Sequence, residues 1–283
     1  MNRVKVIAEI GQNHNGDFAA AQEMVIRSIE AGADYVKFQK RTLPDAIPHR
    51  QWNVMRDTPW GRIPYIEYRQ HLELDWREIG VLAQLAEVNE IGWFVSVWDK
   101  TAVTEAIQND SPILKIPSSL CATFDFVRFV AEQAKRSGRG LMLSTGMTSA
   151  EDAHASIKIC QQIHGDPIVM HAHSAYPAPT DELNLRVIQT FREKYLCQVG
   201  YSGHEWGVAP SVWAALLGAT WIERHVTLDR TLWGSDQLAS LPFDAFGRMV
   251  AQIRSLDIAL GDGEKRLWDT ELPKRRTLRG DDG

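Results

Sequence analysis

The chain has few cysteines, no long apolar run and no strong excess of charge of either sign. Its three cysteines, Cys121, Cys160 and Cys197, are scattered, too few and too far apart for a disulfide framework or a zinc cluster. No apolar stretch approaches the roughly 20 residues that span a bilayer. Net charge is −5 and the pI about 6.0, with acidic and basic residues interspersed throughout. That balance offers no basic patch for nucleic acid or an anionic membrane. Met1-Asn2-Arg3-Val4-Lys5 leads straight into a β-rich run, unlike a signal peptide. The expectation is a cytoplasmic protein without nucleic-acid or membrane partners.

What is present is a rhythm. Short β-rich runs fall at 4–10, 34–39, 92–97, 112–116, 140–144, 167–172, 197–201 and 219–226. Amphipathic segments separate them, at 18–31, 76–89, 101–109, 124–136, 150–163, 185–194 and 210–217, and a last one at 244–260 follows the final run. Asp17, Thr101, Asp125, Ser149 and Asn184 read as helix entries, and Gly32 and Gly92 as stops. Eight strands, each followed by a helix, predict an α/β fold, the (β/α)8 TIM barrel, as a single domain over residues 1–265. Residues 266–283 form a short charged tail. One long insertion, about 41–75, carries Pro44, Pro48, Pro59 and Pro64 and reads as irregular. A loop of that length on a catalytic face is usually functional or a subunit contact. Ten tryptophans are many for this length; most read as packing, with Trp98 and Trp233 as pocket walls.

The strand ends carry the chemistry. Glu9 closes the first run, where a carboxylate points into a barrel mouth and can act as a base; a structural ion pair with Lys37 is the equal alternative. Lys37 and Lys115 sit at matching points inside apolar runs, where an ammonium is costly without an anionic partner. Two of them favour an anion site, and Ser118, Ser144 and Ser202 can add hydroxyl donors. His204 and His225 follow neighbouring runs and are the metal candidates, with Glu9, Glu223 and Asp236 as nearby carboxylates. His171 and His173 compete for that role.

Together these residues resemble the sialic acid (N-acetylneuraminate) synthase family. The likeness runs from about Val4 to Lys265 through linked motifs. They include Ile7-Ala8-Glu9-Ile10-Gly11, Val36-Lys37-Phe38-Gln39, Leu114-Lys115-Ile116-Pro117-Ser118, Leu143-Ser144-Thr145-Gly146-Met147, Tyr176-Pro177-Ala178-Pro179, Gly200-Tyr201-Ser202-Gly203-His204 and Ile222-Glu223-Arg224-His225. The resemblance implies condensation of phosphoenolpyruvate with an N-acetylmannosamine-like amino sugar to a nonulosonic acid. It makes Glu9, Lys37, Lys115 and Glu223 the catalytic set, and His204 and His225 ligands of Mn²⁺ or Mg²⁺. Ser118, Ser144 and Ser202 would bind phosphoenolpyruvate, and Gln39, Tyr176 and Asp236 the acceptor. It also implies a homodimer. The C-terminal antifreeze-like domain common in the family has no counterpart before residue 283, so its sugar-binding arginine is expected to be absent, to be replaced from the insertion, or to come from a separate protein.

Val97, Leu120, Ser174 and Gln237 stand where Thr, Glu, Asn and His are usual in the family; Val97 loses a hydroxyl near the phosphoenolpyruvate, and the others alter the acceptor side. They predict an acceptor other than unmodified N-acetylmannosamine, or a looser preference. Two alternatives remain. One is a sister synthase acting on a phosphorylated or non-acetylated aldose, with Arg41, Arg62 or Arg224 as phosphate contacts. The other is a sugar-binding barrel without turnover.

Overall fold

Each β-rich run becomes a strand because its alternate residues bury on opposite sides of one wall. The computed structural model describes residues 3–280. Its eight barrel strands are β1 (Lys5–Gly11), β2 (Tyr35–Lys40), β3 (Gly92–Val97), β4 (Ile113–Ile116), β5 (Gly140–Ser144), β6 (Ile168–Ala172), β7 (Gln198–Gly203) and β8 (Trp221–Thr227). All pair in parallel and in sequence order, and β1 closes on β8 with Glu9 opposite His225. The expected TIM barrel is therefore the fold. Eight helices surround it: α1 (Phe18–Glu30), α2 (Trp76–Val88), α3 (Lys100–Gln108), α4 (Phe124–Ser137), α5 (Ala150–Ile163), α6 (Val187–Tyr195), α7 (Ala209–Leu216) and α8 (Phe243–Leu260).

The outward face of each strand packs against this helical ring in one large apolar cluster. The inward face is layered. Ile7, Phe94, Ile113, Met142, Ile168, Met170 and Trp221 form an apolar plug with Tyr35. Two residues further along the same faces come Glu9, Lys37, Ser96, Lys115, Ser144 and Glu223. With a side-chain period of two, the plug forces these polar groups into the layer above it, at the carboxyl edge.

Local signals were partly as expected. Asp17 and Ser149 cap α1 and α5 through their side chains. Thr101, Asp125 and Asn184 do not cap: Asp99 accepts from Ala102 N at 2.7 Å to start α3, Thr123 precedes α4, and Arg186 precedes α6. Gly92 is not a helix stop. Asn89 caps α2, and Gly92 opens β3 because a Cβ there would fall 2.2 Å from the Tyr35 ring. Asp34 stays outside β2, accepting from Val6 N at 2.7 Å.

The insertion is more regular than its prolines suggested. It holds a 3-10 turn at His49–Gln51, an antiparallel hairpin of Met55–Thr58 with Gly61–Pro64, and a helix over Tyr65–Leu72. That helix turns Tyr68, Arg69 and Leu72 inward. In the tail, Leu272–Arg279 forms a helix with no buried residue. The ends of two expectations, residues 1–2 of the leader and 281–283 of the tail, lie outside the described residues. No described helix is long and apolar enough to cross a membrane.

Candidate active site

The polar layer above the plug lines a cavity at the barrel mouth. Its walls include Glu9, Lys37, Gln39, Lys115, Ser118, Ser144, Tyr176, Ser202, His204, Glu223 and His225. The geometry thus brings together every sequence-predicted site residue except Asp236, which lies just behind His225.

At its floor four buried charges balance. Lys115 Nζ lies 2.5 and 2.7 Å from the two Glu223 oxygens. Lys37 Nζ lies 2.7 Å from Glu9 Oε2, donates to Ser96 Oγ at 2.6 Å, and stands 3.8 Å from Glu223 Oε1. The Glu9–Lys37 ion pair is therefore present, in a position where it also faces the cavity. Burial pushes Lys115 down to about 8, helped by the like charge of Lys37 and opposed by Glu223. Burial works against ionised Glu223, but the two ammonium groups overcome it and hold the carboxyl below its ordinary range. Ser202 Oγ donates to Glu223 Oε1 at 3.0 Å, and Ser118 Oγ accepts from Gly146 N at 3.1 Å. Among the described residues Ser144 Oγ is buried with no hydrogen-bond partner, a hydroxyl left to serve the cavity it lines.

The imidazoles occupy the opposite wall. The His204 and His225 rings are 5.4 Å apart between centroids. His204 Nδ1 donates to the His173 carbonyl at 2.6 Å, which leaves the lone pair on Nε2, where Tyr176 OH donates at 2.9 Å. Burial, with His225 adjacent, pushes His204 down to about 3, so the ring is neutral at ordinary pH. Among the described residues His225 Nδ1 is buried without a hydrogen bond, 3.6 Å from Asp236 Oδ2. Burial alone would raise Asp236; His225 and hydrogen bonds from Ser235 and Gln12 instead hold it below the usual carboxylate range. Among the described residues no three His, Cys, Asp or Glu side chains form a ligand set by themselves. Two facing imidazoles, one of them with an orphan ring nitrogen, still suit a divalent cation that keeps water or substrate as its remaining ligands.

The competing histidines go elsewhere. His171 Nε2 bonds the Leu183 carbonyl at 2.8 Å, and His173 Nε2 pairs with Glu182 at 2.9 Å. Both line a side groove, and His173 serves the site only through its backbone oxygen. Arg224 is no phosphate contact. It is fully buried, donating to Glu205 Oε1 at 2.9 Å and to the Gly207 carbonyl at 2.8 Å. Arg62 lies exposed on the hairpin. Arg41 stacks 3.8 Å above Trp98 in a second groove beside the cavity. Leu120 and Trp233 also line that groove, whereas Ser174 lines the cavity itself. Gln237 is structural, its amide tied to Thr227 Oγ1 at 2.5 Å and the Asn13 carbonyl at 3.0 Å. Sequence reasoning missed Ser96, which holds Lys37, and the pair Gln12 and Arg69, joined at 2.6 Å. Ser96 was findable by period from Phe94; Arg69 sits in an insertion with no periodic signal.

Residues 24–265 match the model of the NeuB family. The chain belongs to the NeuB family. It is 34% identical over 270 residues to the human N-acetylneuraminate-9-phosphate synthase, covering 94% of this chain and 74% of that protein. It is 32% identical over 282 residues to the N,N'-diacetyllegionaminic acid synthase of Legionella pneumophila, covering 97% and 78%. The crystal structure of N-acetylneuraminic acid synthetase from Leptospira borgpetersenii superposes with a TM-score of 0.81 at 27% identity, over 99% of this chain and 94% of that one. This NeuB chain is therefore a sugar-acid synthase, a transferase that forms a C–C bond.

Proposed function

We propose that the protein condenses phosphoenolpyruvate with an N-acyl amino sugar to give a nonulosonic acid and inorganic phosphate. The observation that carries this is the meeting of Lys37, Lys115 and the unpartnered Ser144 hydroxyl with His204 and His225 in one cavity. Lys37 and Lys115 hold the phosphate and carboxylate of phosphoenolpyruvate, with Ser118, Ser144 and Ser202 as further donors. Because Glu9 and Glu223 already balance both lysines, an incoming anion of high charge finds no surplus positive charge. A divalent cation, Mn²⁺ or Mg²⁺ on His204 and His225, would supply it. When bound, the ion adds Lewis-acid polarisation of the acceptor's aldehyde oxygen.

The enol carbon C3 bonds to the aldehyde carbon while Tyr176, Gln39 and Asp236 orient the sugar. Water then adds to C2, Glu9 taking its proton, and the C–O bond to phosphate breaks to leave a 3-deoxy-2-keto acid. Purified protein given phosphoenolpyruvate, Mn²⁺ and a panel of N-acyl hexosamines releases phosphate and yields a sugar-acid product by mass spectrometry. Silence across the panel from folded, metal-loaded protein overturns the reading. A phosphorylated acceptor is the second reading, supported by Arg41 and Arg69 in the adjoining groove, where they share the single carboxylate of Glu73. Free and phosphorylated sugars compared in one assay separate the two.

A further inference from the structure

Three residues of the insertion form a largely buried clamp, one glutamine removed from Glu9 and from Asp236. Glu73 Oε1 accepts from Arg41 Nη1 at 3.4 Å and from Arg69 Nη2 at 3.3 Å, and its Oε2 accepts from Arg41 N at 3.0 Å. From each guanidinium a glutamine leads to the site. Arg41 Nη2 donates to Gln39 Oε1 at 2.8 Å, and Gln39 Nε2 donates to Glu9 Oε1 at 2.7 Å. Arg69 Nη1 donates to Gln12 Oε1 at 2.6 Å, and Gln12 Nε2 donates to Asp236 Oδ2 at 3.2 Å, beside His225.

The polarity of both relays is forced. A guanidinium only donates and a carboxylate only accepts, so an amide between them satisfies both in one orientation alone. Withdrawing the arginine removes the donor that holds each amide oxygen and leaves the carboxylate end alone to keep the amide in that orientation. Both arginines hang on Glu73. Arg41 and Arg69 are otherwise buried like charges that repel: burial and Arg69 together push Arg41 down to about 10.

We infer that Glu73 is a positioning residue, which through Arg41 and Arg69 holds the amide orientation of Gln39 and Gln12 and so aligns Glu9 for the attacking water and Asp236 for the acceptor. This rests on the proposed synthase activity. It gives the insertion a task inside the chemistry, since Arg41, Arg69 and Glu73 all belong to it.

The test is a double-mutant cycle on the full chain. Glu73→Gln lowers kcat/KM for the acceptor by roughly ten-fold or more, while KM for phosphoenolpyruvate stays within about two-fold because the lysines are untouched. In a Gln12→Met, Gln39→Met background the same change costs almost nothing further, since no amide remains to orient. Equal losses in both backgrounds would mean that Glu73 acts by general stability or by direct acceptor contact, and would overturn the inference. So would kinetic constants that fall only in proportion to folded protein. Should Glu73→Gln not fold, Arg69→Lys keeps the charge, loses the two-pronged donor and is read in the same cycle. Wild-type protein without turnover on any acceptor counts against the proposed activity instead. Crystals of the Glu73→Gln variant then test the clamp separately: unchanged Gln39–Glu9 and Gln12–Asp236 contacts refute it.

Discussion

Lys115 reaches across the barrel from β4 to β8 and ends between the two oxygens of Glu223, 108 positions later in sequence. The pair is buried on both sides, so its charges are balanced by each other, with Lys37 at 3.8 Å and the Ser202 hydroxyl at 3.0 Å as the further partners of Glu223. Lys115→Met removes one donor to the substrate anion and takes from the carboxylate its nearest cation. Expected are a rise in KM for phosphoenolpyruvate of roughly 10- to 100-fold and a loss of about 3 kcal/mol in stability, read by steady-state kinetics and urea unfolding.

The same lysine sets an alkaline limit. Its folded value of about 8 lies below the ordinary 10.5, so its charge is present below about pH 8 and fades above it. KM for phosphoenolpyruvate therefore climbs above about pH 8, and Lys115→Arg, which stays charged, removes that climb even where it binds less tightly. A pH series of initial rates at several phosphoenolpyruvate concentrations shows the limb or its absence.

His14 makes an acid prediction for stability. It is buried in the turn after β1, with its ring bonded to the Gly11 carbonyl and to Gly16 N. Burial pushes it from 6.5 to about 4. Between these values the unfolded chain binds a proton that the native chain refuses, so stability falls as pH drops from about 6.5 to about 4. The loss is about 3 kcal/mol across the window. Chemical denaturation at several pH values measures the slope, and His14→Gln flattens it.

Arg224 separates structure from function. It binds Glu205 with both residues fully buried, on the outward side of β8. Arg224→Met costs about 3–5 kcal/mol by leaving Glu205 uncompensated, yet at low temperature the folded fraction keeps its KM values for both substrates. A selective loss with phosphorylated acceptors would restore Arg224 as a substrate contact.

The barrel was legible because parallel strands buried on both faces advertise themselves as apolar runs, and the polar residues that interrupt them have few reasons to be there. Lys37 and Lys115 stood out on that ground alone. Boundaries were less legible: Gly92 looked like a helix stop because its real constraint is the Tyr35 ring on the neighbouring strand, 57 residues away. The histidines divided by contacts that sequence does not encode locally; His171 and His204 both end apolar runs, but only the latter faces the cavity. Arg69 and Glu73 were invisible because their partners, Gln12 and Arg41, are reached only after the insertion folds back as a helix.

The most direct measurement is a crystal soaked with phosphoenolpyruvate and Mn²⁺, with anomalous scattering collected for the metal. The account predicts a manganese peak bound by His204 and His225, and a phosphate within hydrogen-bond reach of Lys37 and Lys115. Manganese held elsewhere, or phosphoenolpyruvate bound away from both lysines, would contradict it.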